Sequence, residues 1–408
     1  MLNNKRIAFF CHPYHRGGVT RWMADAAIEY ARQGYDVYFA TPEPTVPFYS
    51  GKGKETMAAL VRKAHAVHLG TVPVGREFEF GTPDYNCYIY KKLLLATIPP
   101  GTPIILSDDA TVWRAAVELA ATYPLVGVLH ADEDHYYQLA ARYNKEVDIF
   151  VCVSARVARV VKERTPAIDA SRIFVVPCGI ALPPMHRAEG RDGWIQMVYV
   201  GRITDYQKRS GDLAKVAIAL RKRNIPFSLT IIGDGLETRA ALEKTVKDQG
   251  LSEQVKFTGW LSQAQVHQHL SAADVLLLTS DFEGMPIAMM EGLASGCGFV
   301  GTRVSGIEDY EFHALAPDCF RVFGVGDIDG AVAQIVDIAA VNKQQRAIAA
   351  RKLAESQFSM DICLNNYNKA MNTINTRTYT TPAVNTTMAV KLKSQAVALL
   401  RSMKMKLK

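Results

Sequence analysis

The segment SDFEGMPIAMMEGLASG sets two carboxylates, Glu283 and Glu291, eight residues apart, with Gly284, Met285 and Pro286 between them. Proline is favoured in the first turn of a helix, so this spacing predicts a helix beginning near Met285–Pro286. Glu283 then lies on the loop before the helix and Glu291 about a turn and a half inside it. The free N–H groups of a helix N-terminus suit phosphate oxygens, and a carboxylate beside them accepts hydrogen bonds from hydroxyls. Such a pair fits a ligand carrying both phosphates and hydroxyls. A second segment, VYVGRITDYQKRSGDL, ends an apolar run at Gly201 and follows it with Arg202, Lys208 and Arg209. Cations fixed just past a strand end neutralise the charge that grows on a diphosphate leaving group, and they do so without a metal.

Other residues carry weaker signals. Gly17-Gly18, in HRGGVTRW, allows backbone amides to approach a ligand or simply makes a tight strand-to-helix turn. His130 is a lone histidine at the end of LVGVLH, and Gly233-Asp234-Gly235 reads as turn chemistry. Asp132, Glu133 and Asp134 invite a metal, but they share one short segment without partner ligands, so no metal site is expected.

These residues sit at the ends of alternating strands and helices. RIAFFC reads as a strand, followed by a helix over about residues 20–33, and then DVYFA, IILS, LVGVLH, IFVCVS and IFVVPC continue the series. Continuous apolar runs of this kind mark buried parallel strands. A Pro-rich, polar stretch from Leu182 to Gly193 interrupts the pattern. It restarts with IQMVYVG, a helix over about residues 212–222, FSLTIIG, a helix ending near Gly250, KFTGW, ADVLLLTS and GFVGT. Two such series predict two doubly wound domains facing a cleft, where ligands bind beyond the carboxyl ends of the strands. The stretch from Glu43 to Asp84, dense in Pro and Gly, reads as loops that carry acceptor specificity.

Composition narrows the class. At 408 residues the chain suits two domains, and 49% hydrophobic with 21% charged residues is ordinary for a globular protein. The seven cysteines are scattered without metal or redox spacing, which predicts buried thiols in a reducing, cytoplasmic setting. No run reaches bilayer-spanning length, and the short apolar run at the amino terminus reads as a strand rather than a secretory signal. From Thr376 onward there are seven Lys/Arg and no acids, leaving 40 basic against 40 acidic residues elsewhere. A formally neutral body gives nucleic-acid binding little support.

Together the residues resemble retaining glycosyltransferases of family 4, with the GT-B fold, over roughly residues 5–370. Beyond the two segments above, the resemblance includes IIGDGLE, FTGWLS, AADVLLLTS, GTRVSGIED, HRGGVTRW and HADEDHY. It departs in the Arg202-to-Lys208 spacing, one residue longer than usual, so Lys208 and Arg209 compete for one role. Ser305 also stands for the first Gly of a Gly-Gly pair, and Gly298 stands where Pro is usual.

The resemblance implies a metal-independent, retaining enzyme with no cofactor, moving a sugar from a nucleotide diphosphate donor to a glycan or lipid-linked acceptor. It implies front-face attack, in which the leaving phosphate helps deprotonate the acceptor. Arg202 with Lys208 or Arg209 would hold the diphosphate, and Glu291 the ribose. Glu283 and His130 would contact the transferred sugar, and Gly17, Gly18, Gly284, Met285 and Pro286 would line the donor site. The expected organisation is an acceptor-side domain over 1–182, a linker over 183–193 and a donor domain over 194–358. A helix over 359–375 would cross back to the first domain, followed by a basic tail over 376–408. In that tail Leu392, Ala396, Leu399, Leu400, Met403 and Leu407 fall on one helical sector with the basic residues outside it, the pattern of a helix on an anionic membrane surface. Residues 388–408 would thus place the protein at the inner face of a membrane, unless the helix packs on the body or stays disordered. The rivals are a non-catalytic nucleotide-sugar-binding or membrane-tethered scaffold, a sugar-nucleotide epimerase and a dinucleotide dehydrogenase. No G-x-G-x-x-G opens a strand–helix unit to favour the last.

Overall fold

The structure is a computed structural model that describes residues 5–13, 18–45, 56–75, 77–78, 81–106, 109–185, 193–375, 378–380 and 388–406. The apolar runs form two parallel sheets. The first holds β1 (Arg6–Phe10), β2 (Asp36–Pro44), β3 (Val67–Val74), β4 (Ile104–Leu106), β5 (Leu125–Leu129), β6 (Ile149–Cys152) and β7 (Ile173–Val175). Its order is β3-β2-β1-β4-β5-β6-β7. The second holds β8 (Ile195–Val200), β9 (Phe227–Ile232), β10 (Val255–Gly259), β11 (Val275–Leu278), β12 (Gly298–Thr302) and β13 (Phe320–Phe323), in the order β10-β9-β8-β11-β12-β13. Every pairing is parallel. Strand order reverses between β1 and β4 in one sheet and between β8 and β11 in the other, so each has a crevice at its carboxyl edge.

Among the described residues, eleven of the thirteen strands coincide with expected runs, and the two that do not, β3 and β13, are sheet edges. Only the last residue of β3 is fully buried, so its sequence never needed a continuous apolar run, and its Gly and Pro made it look like loop. The anticipated helices occur at Gly18–Arg32, Gly211–Lys222 and Leu236–Asp248. Residues 186–192 of the expected linker lie outside the described residues.

The helix Met360–Met371 lies against the first domain, capped by Ser359, whose side chain accepts from the Ile362 N–H. Ile180 N–H donates to the Phe358 carbonyl at 2.8 Å, and Met360 N–H to that of Ile180 at 3.0 Å. Tyr30 Oη donates to Asn368 Oδ1 at 3.1 Å, and Trp22 packs on Tyr367 at 5.5 Å. Through this helix one apolar cluster runs unbroken from the face of the first sheet into the second. A buried ion pair braces the second domain: Arg346 Nη2 donates to Asp274 Oδ1 at 2.7 Å, while its Nη1 reaches the carbonyls of Ile338 and Val341.

The tail forms the helix Met388–Lys406 and packs on the first domain. The contact uses a different face from the apolar sector read from sequence. Ser394 is wholly buried, its hydroxyl accepting from Thr82 N–H at 3.0 Å and donating to the Glu77 carbonyl at 3.1 Å, and Ala398 is buried beside it. Leu392 and Leu399 of the apolar sector stay 58% and 62% exposed. Leu407 and the side chains of Leu400 and Met403 lie outside the described residues.

Candidate active site

Strands β8 and β11 lie side by side where the second sheet's order reverses, and the cations and Glu283 leave from their ends. After Gly201 the chain makes one helical turn, Asp205–Lys208. Lys208 Nζ donates to Glu283 Oε1 at 2.5 Å, and Ser280 Oγ donates to the same oxygen at 2.6 Å. Ser280 is held in turn, its carbonyl accepting from Thr302 Oγ1 at 2.6 Å. Gln207 clips the two loops together: its Oε1 accepts from Arg202 Nη2 at 2.7 Å and its Nε2 donates to the Phe282 carbonyl at 3.3 Å. Arg209 goes elsewhere. Its backbone is left-handed, with φ of 45°, and its guanidinium binds Asp212 at 2.7 Å and Asp281 at 3.3 Å. Of the two cations that sequence left in competition, Lys208 reaches Glu283 and Arg209 is tied down by two carboxylates.

The expected helix spans Ile287–Ala294 with Pro286 as its N-cap, and Glu291 lies in its second turn. Burial pushes the Glu291 carboxyl up to about 7, with Asp25 adding to the shift and Arg21 and Gln263 opposing it. Arg21 and Asp25 belong to the first domain's opening helix. Arg21 Nε binds both Asp25 oxygens, at 2.9 and 3.0 Å, and its Nη2 donates to Gln263 Oε1 of the second domain at 3.3 Å. Gly18 starts that helix close to the second domain, where a Cβ would stand 3.0 Å from Ile287 Cγ1.

The domains also touch by backbone beside Glu283. Ala131 forms an antiparallel bridge with Gly284, and Asp132 N–H donates to the Glu283 carbonyl at 3.3 Å. A Cβ on Gly284 would lie 1.7 Å from the His130 carbonyl oxygen, so this approach requires glycine. His130 is 6% exposed, packs on Trp22 at 5.4 Å and Tyr136 at 6.3 Å, and finds no partner for either ring nitrogen among the described residues. Burial lowers its pKa to about 3, so the imidazole is neutral. Ser305, the departure from the family's Gly-Gly, makes a buried Oγ–Oγ hydrogen bond of 2.8 Å to Ser154 across the same seam. Asp309 accepts from Ala155 N–H at 2.8 Å.

Two of the three acids after His130 are taken by neighbours. Asp132 pairs with Arg156 at 2.8 Å and accepts from Tyr137 Oη at 2.6 Å, while Asp134 pairs with Arg164 at 2.5 Å. Among the described residues no group of three or more His, Cys, Asp or Glu could hold a metal.

The fold thus gathers His130, Lys208, Glu283, Gly284, Met285 and Pro286 at one seam. Arg202 stands at its edge, and Glu291 and Gly18 lie a short way along the helices that meet there. Gly17 lies outside the described residues. Sequence reasoning missed Arg21, Asp25, Gln207, Gln263 and Ser280. Arg21 stood in the quoted HRGGVTRW, but only the approach of two domains shows what it meets.

Two doubly wound parallel-sheet domains meeting over such a seam define the GT-B class. Among solved structures, Anabaena Alr3699/HepE in complex with UDP and glucose superposes with a TM-score of 0.68, covering 90% of this chain and 99% of that one at 16% identity. The apo lipopolysaccharide outer core galactosyltransferase WaaB gives a TM-score of 0.65 with the same coverages at 18% identity. The family model "Glycosyl transferases group 1" matches residues 195–339, and "Glycosyltransferase Family 4" matches residues 16–182. The chain belongs to the group 1, family 4 glycosyltransferases. It is 29% identical over 208 residues to the amylovoran biosynthesis glycosyltransferase AmsK of Erwinia amylovora, covering 47% of this chain and 49% of that protein. It is 29% identical over 180 residues to the lipopolysaccharide core biosynthesis glycosyltransferase LpsD of Rhizobium meliloti, covering 43% and 51%. The chain thus spans about half the length of these curated relatives.

Proposed function

We propose that the protein is a retaining, metal-independent glycosyltransferase that moves a hexose from a nucleotide diphosphate donor to a hydroxyl of a glycan or lipid-linked acceptor. The observation that carries this is the junction where buried Glu283, held by Lys208 and Ser280, meets the backbone beside neutral His130 of the other domain, whose ring nitrogens have no partner among the described residues. Glu283 has Oε1 occupied by two donors, which suits a carboxylate that binds sugar hydroxyls rather than one that attacks carbon. His130 supplies a neutral imidazole for a sugar hydroxyl. Arg202 and Lys208 stabilise the diphosphate as the bond from the sugar's anomeric carbon to the phosphate oxygen breaks and its electron pair passes to the phosphate. The acceptor oxygen bonds to that carbon on the same face, and its proton goes to the departing phosphate oxygen. No enzyme nucleophile and no cofactor enters this scheme.

Because HepE was solved with UDP and glucose, UDP-sugars head the donor panel. The test is a thermal-shift screen against UDP-, GDP-, ADP- and dTDP-sugars with and without EDTA. A bound donor raises the midpoint by linkage. A shift with one donor, unchanged by EDTA, is expected, and a shift that EDTA abolishes would overturn metal independence. Anomeric configuration of the product, read by NMR, decides retention.

The reading extends to an anionic membrane surface for residues 388–408, at the cytoplasmic face. No helix among the described residues is long and apolar enough to cross a membrane. Support comes from the exposed Leu392 and Leu399, flanked by exposed Lys391 and Lys393 on a helix whose other face is anchored. Co-flotation with phosphatidylglycerol vesicles but not phosphatidylcholine vesicles is expected, and equal flotation of a Leu392→Asp/Leu399→Asp variant would sink this part.

A further inference from the structure

We propose that Arg21 is a donor-positioning residue, contributed by the first domain to the ribose–diphosphate part of a nucleotide sugar held on the second. The inference rests on the glycosyltransferase reading and adds to it a residue from the opposite side of the seam.

Four polar groups meet where the helix Gly18–Arg32 approaches the helices Gln263–Ala272 and Ile287–Ala294. From the first domain come Arg21 and Asp25, and from the second Gln263 and Glu291. The ion pair with Asp25 takes Arg21 Nε–H, and Gln263 takes one N–H of Nη2, at a long 3.3 Å. A guanidinium carries five N–H donors, so three remain beyond these two contacts. The side chain is 44% exposed, unlike Arg346, which is buried with both Nη groups bound to the protein. Asp25 fixes one edge of the guanidinium, which leaves it pre-oriented for a second, ligand-borne anion.

The group facing it across the seam is suited to the other part of the same ligand. No ion pair joins Glu291 to any described residue; Arg21 lies close enough to act on its charge, and Gln263 hydrogen-bonds it. A vicinal diol donating two O–H groups to Glu291 satisfies a half-buried carboxylate whose ionised form is disfavoured by its partial loss of water. A ribose diol on Glu291 puts the adjoining diphosphate between the two domains. Arg202 and Lys208 then serve its sugar side, and Arg21 stands at its ribose side. The nucleoside diphosphate becomes the bridge that joins the domains, and Arg21 is the first domain's charge on it.

The test uses full-length Arg21→Ala and Arg21→Lys with the donor that stabilises the wild type in the panel above, and with its nucleoside diphosphate alone. Thermal midpoints without ligand, ligand-induced shifts, and KM for donor and acceptor are compared. For Arg21→Ala we expect an unliganded midpoint close to wild type, a ligand-induced shift at least halved, and a donor KM raised about tenfold with acceptor KM little changed. Arg21→Lys should recover part of the donor KM. A lowered unliganded midpoint with an undiminished ligand shift would show that Arg21 merely braces the seam and would overturn the proposal. So would an unchanged donor KM. Failure of the wild type to bind any nucleoside diphosphate would instead overturn the glycosyltransferase reading on which the proposal stands.

Discussion

Replacing Gly284 with alanine sets a methyl carbon 1.7 Å from the carbonyl oxygen of His130 and 2.6 Å from its carbonyl carbon. The backbone of Gly284 is not in the left-handed region, so alanine is conformationally allowed and the whole effect is the collision. Ordinary carbon–oxygen contact is about 3.3 Å, so the two strands must separate by roughly 1.5 Å. Both partners are backbone, and neither can swing aside as a side chain would. The separation falls between His130 and Glu283, the two groups assigned to the transferred sugar. A misplacement of about 1 Å at a reacting centre costs on the order of 10²-fold in rate. Gly284→Ala should therefore lower kcat by about two orders of magnitude, near 3 kcal/mol of transition-state stabilisation. Nucleotide binding should fall much less, because Arg202, Lys208 and Glu291 all belong to the second domain. The assay is nucleoside diphosphate release under saturating donor and acceptor, with nucleotide affinity by calorimetry and a thermal midpoint to confirm folding. A folded variant with kcat within threefold of wild type would refute the idea that the Ala131–Gly284 bridge sets the reacting geometry.

Further outcomes follow from the same contacts. Glu291 has a folded pKa raised to about 7 by burial, so the folded state keeps a proton that the unfolded chain releases near pH 4.5. Its contribution to stability is present below that value and is lost as pH rises towards 7. Glu291→Gln should make the ligand-free protein more stable than wild type at pH 8 by up to roughly 3 kcal/mol, and indistinguishable at pH 4.5, as read by chemical denaturation. The same change should raise donor KM at pH 8, where the wild-type carboxylate is ionised, and equal KM values would remove Glu291 from the ribose site. For His130 the shift runs the other way, to about 3, so the stability it gives as a neutral group is present above about 6.5 and is lost as pH falls towards 3. His130→Ala should lower kcat more than donor KM, and the kcat profile of the wild type should show no inflection between pH 5 and 8 that this substitution removes. Arg346→Ala leaves Asp274 buried with Lys343, at 3.4 Å, as its remaining cation among the described residues, and should destabilise the second domain by about 3–5 kcal/mol in urea titrations.

Much of the site could be read from the chain because each part is local. Glu283, Gly284, Pro286 and Glu291 lie within nine consecutive residues, and Pro286 starts the helix that separates the two acids. A parallel strand buried on both faces must be apolar along its length, so β1, β5, β8 and β11 announce themselves, and the candidate residues follow their carboxyl ends. The edge strand β3 faces weaker demands and was missed for that reason, whereas β13 was missed although three of its four residues are buried. Sequence could not rank Lys208 against Arg209. They are neighbours of the same charge, and only the fold shows that Arg209, in a left-handed turn, meets the carboxylates of Asp212 and Asp281, 69 positions apart, while Lys208 meets Glu283. The tail was legible as an amphipathic helix, but which face it buries was decided by Ser394 meeting the backbone of Glu77 and Thr82, more than 300 residues earlier.

By itself, then, the sequence determined the two parallel sheets, the strand ends that hold the candidate residues, the helix holding Glu291 and the cationic, acid-free tail, because periodicity, capping and charge act over a few residues. Only the tertiary structure decided what meets across the seam. The reach of Arg21 to Gln263, the backbone bridge of Ala131 to Gly284 and the packing of His130 on Trp22 all join residues more than a hundred positions apart. No local pattern encodes such contacts. They exist because the two sheets and the returning helix Met360–Met371 share one apolar cluster, and its burial brings the polar residues at the strand ends together.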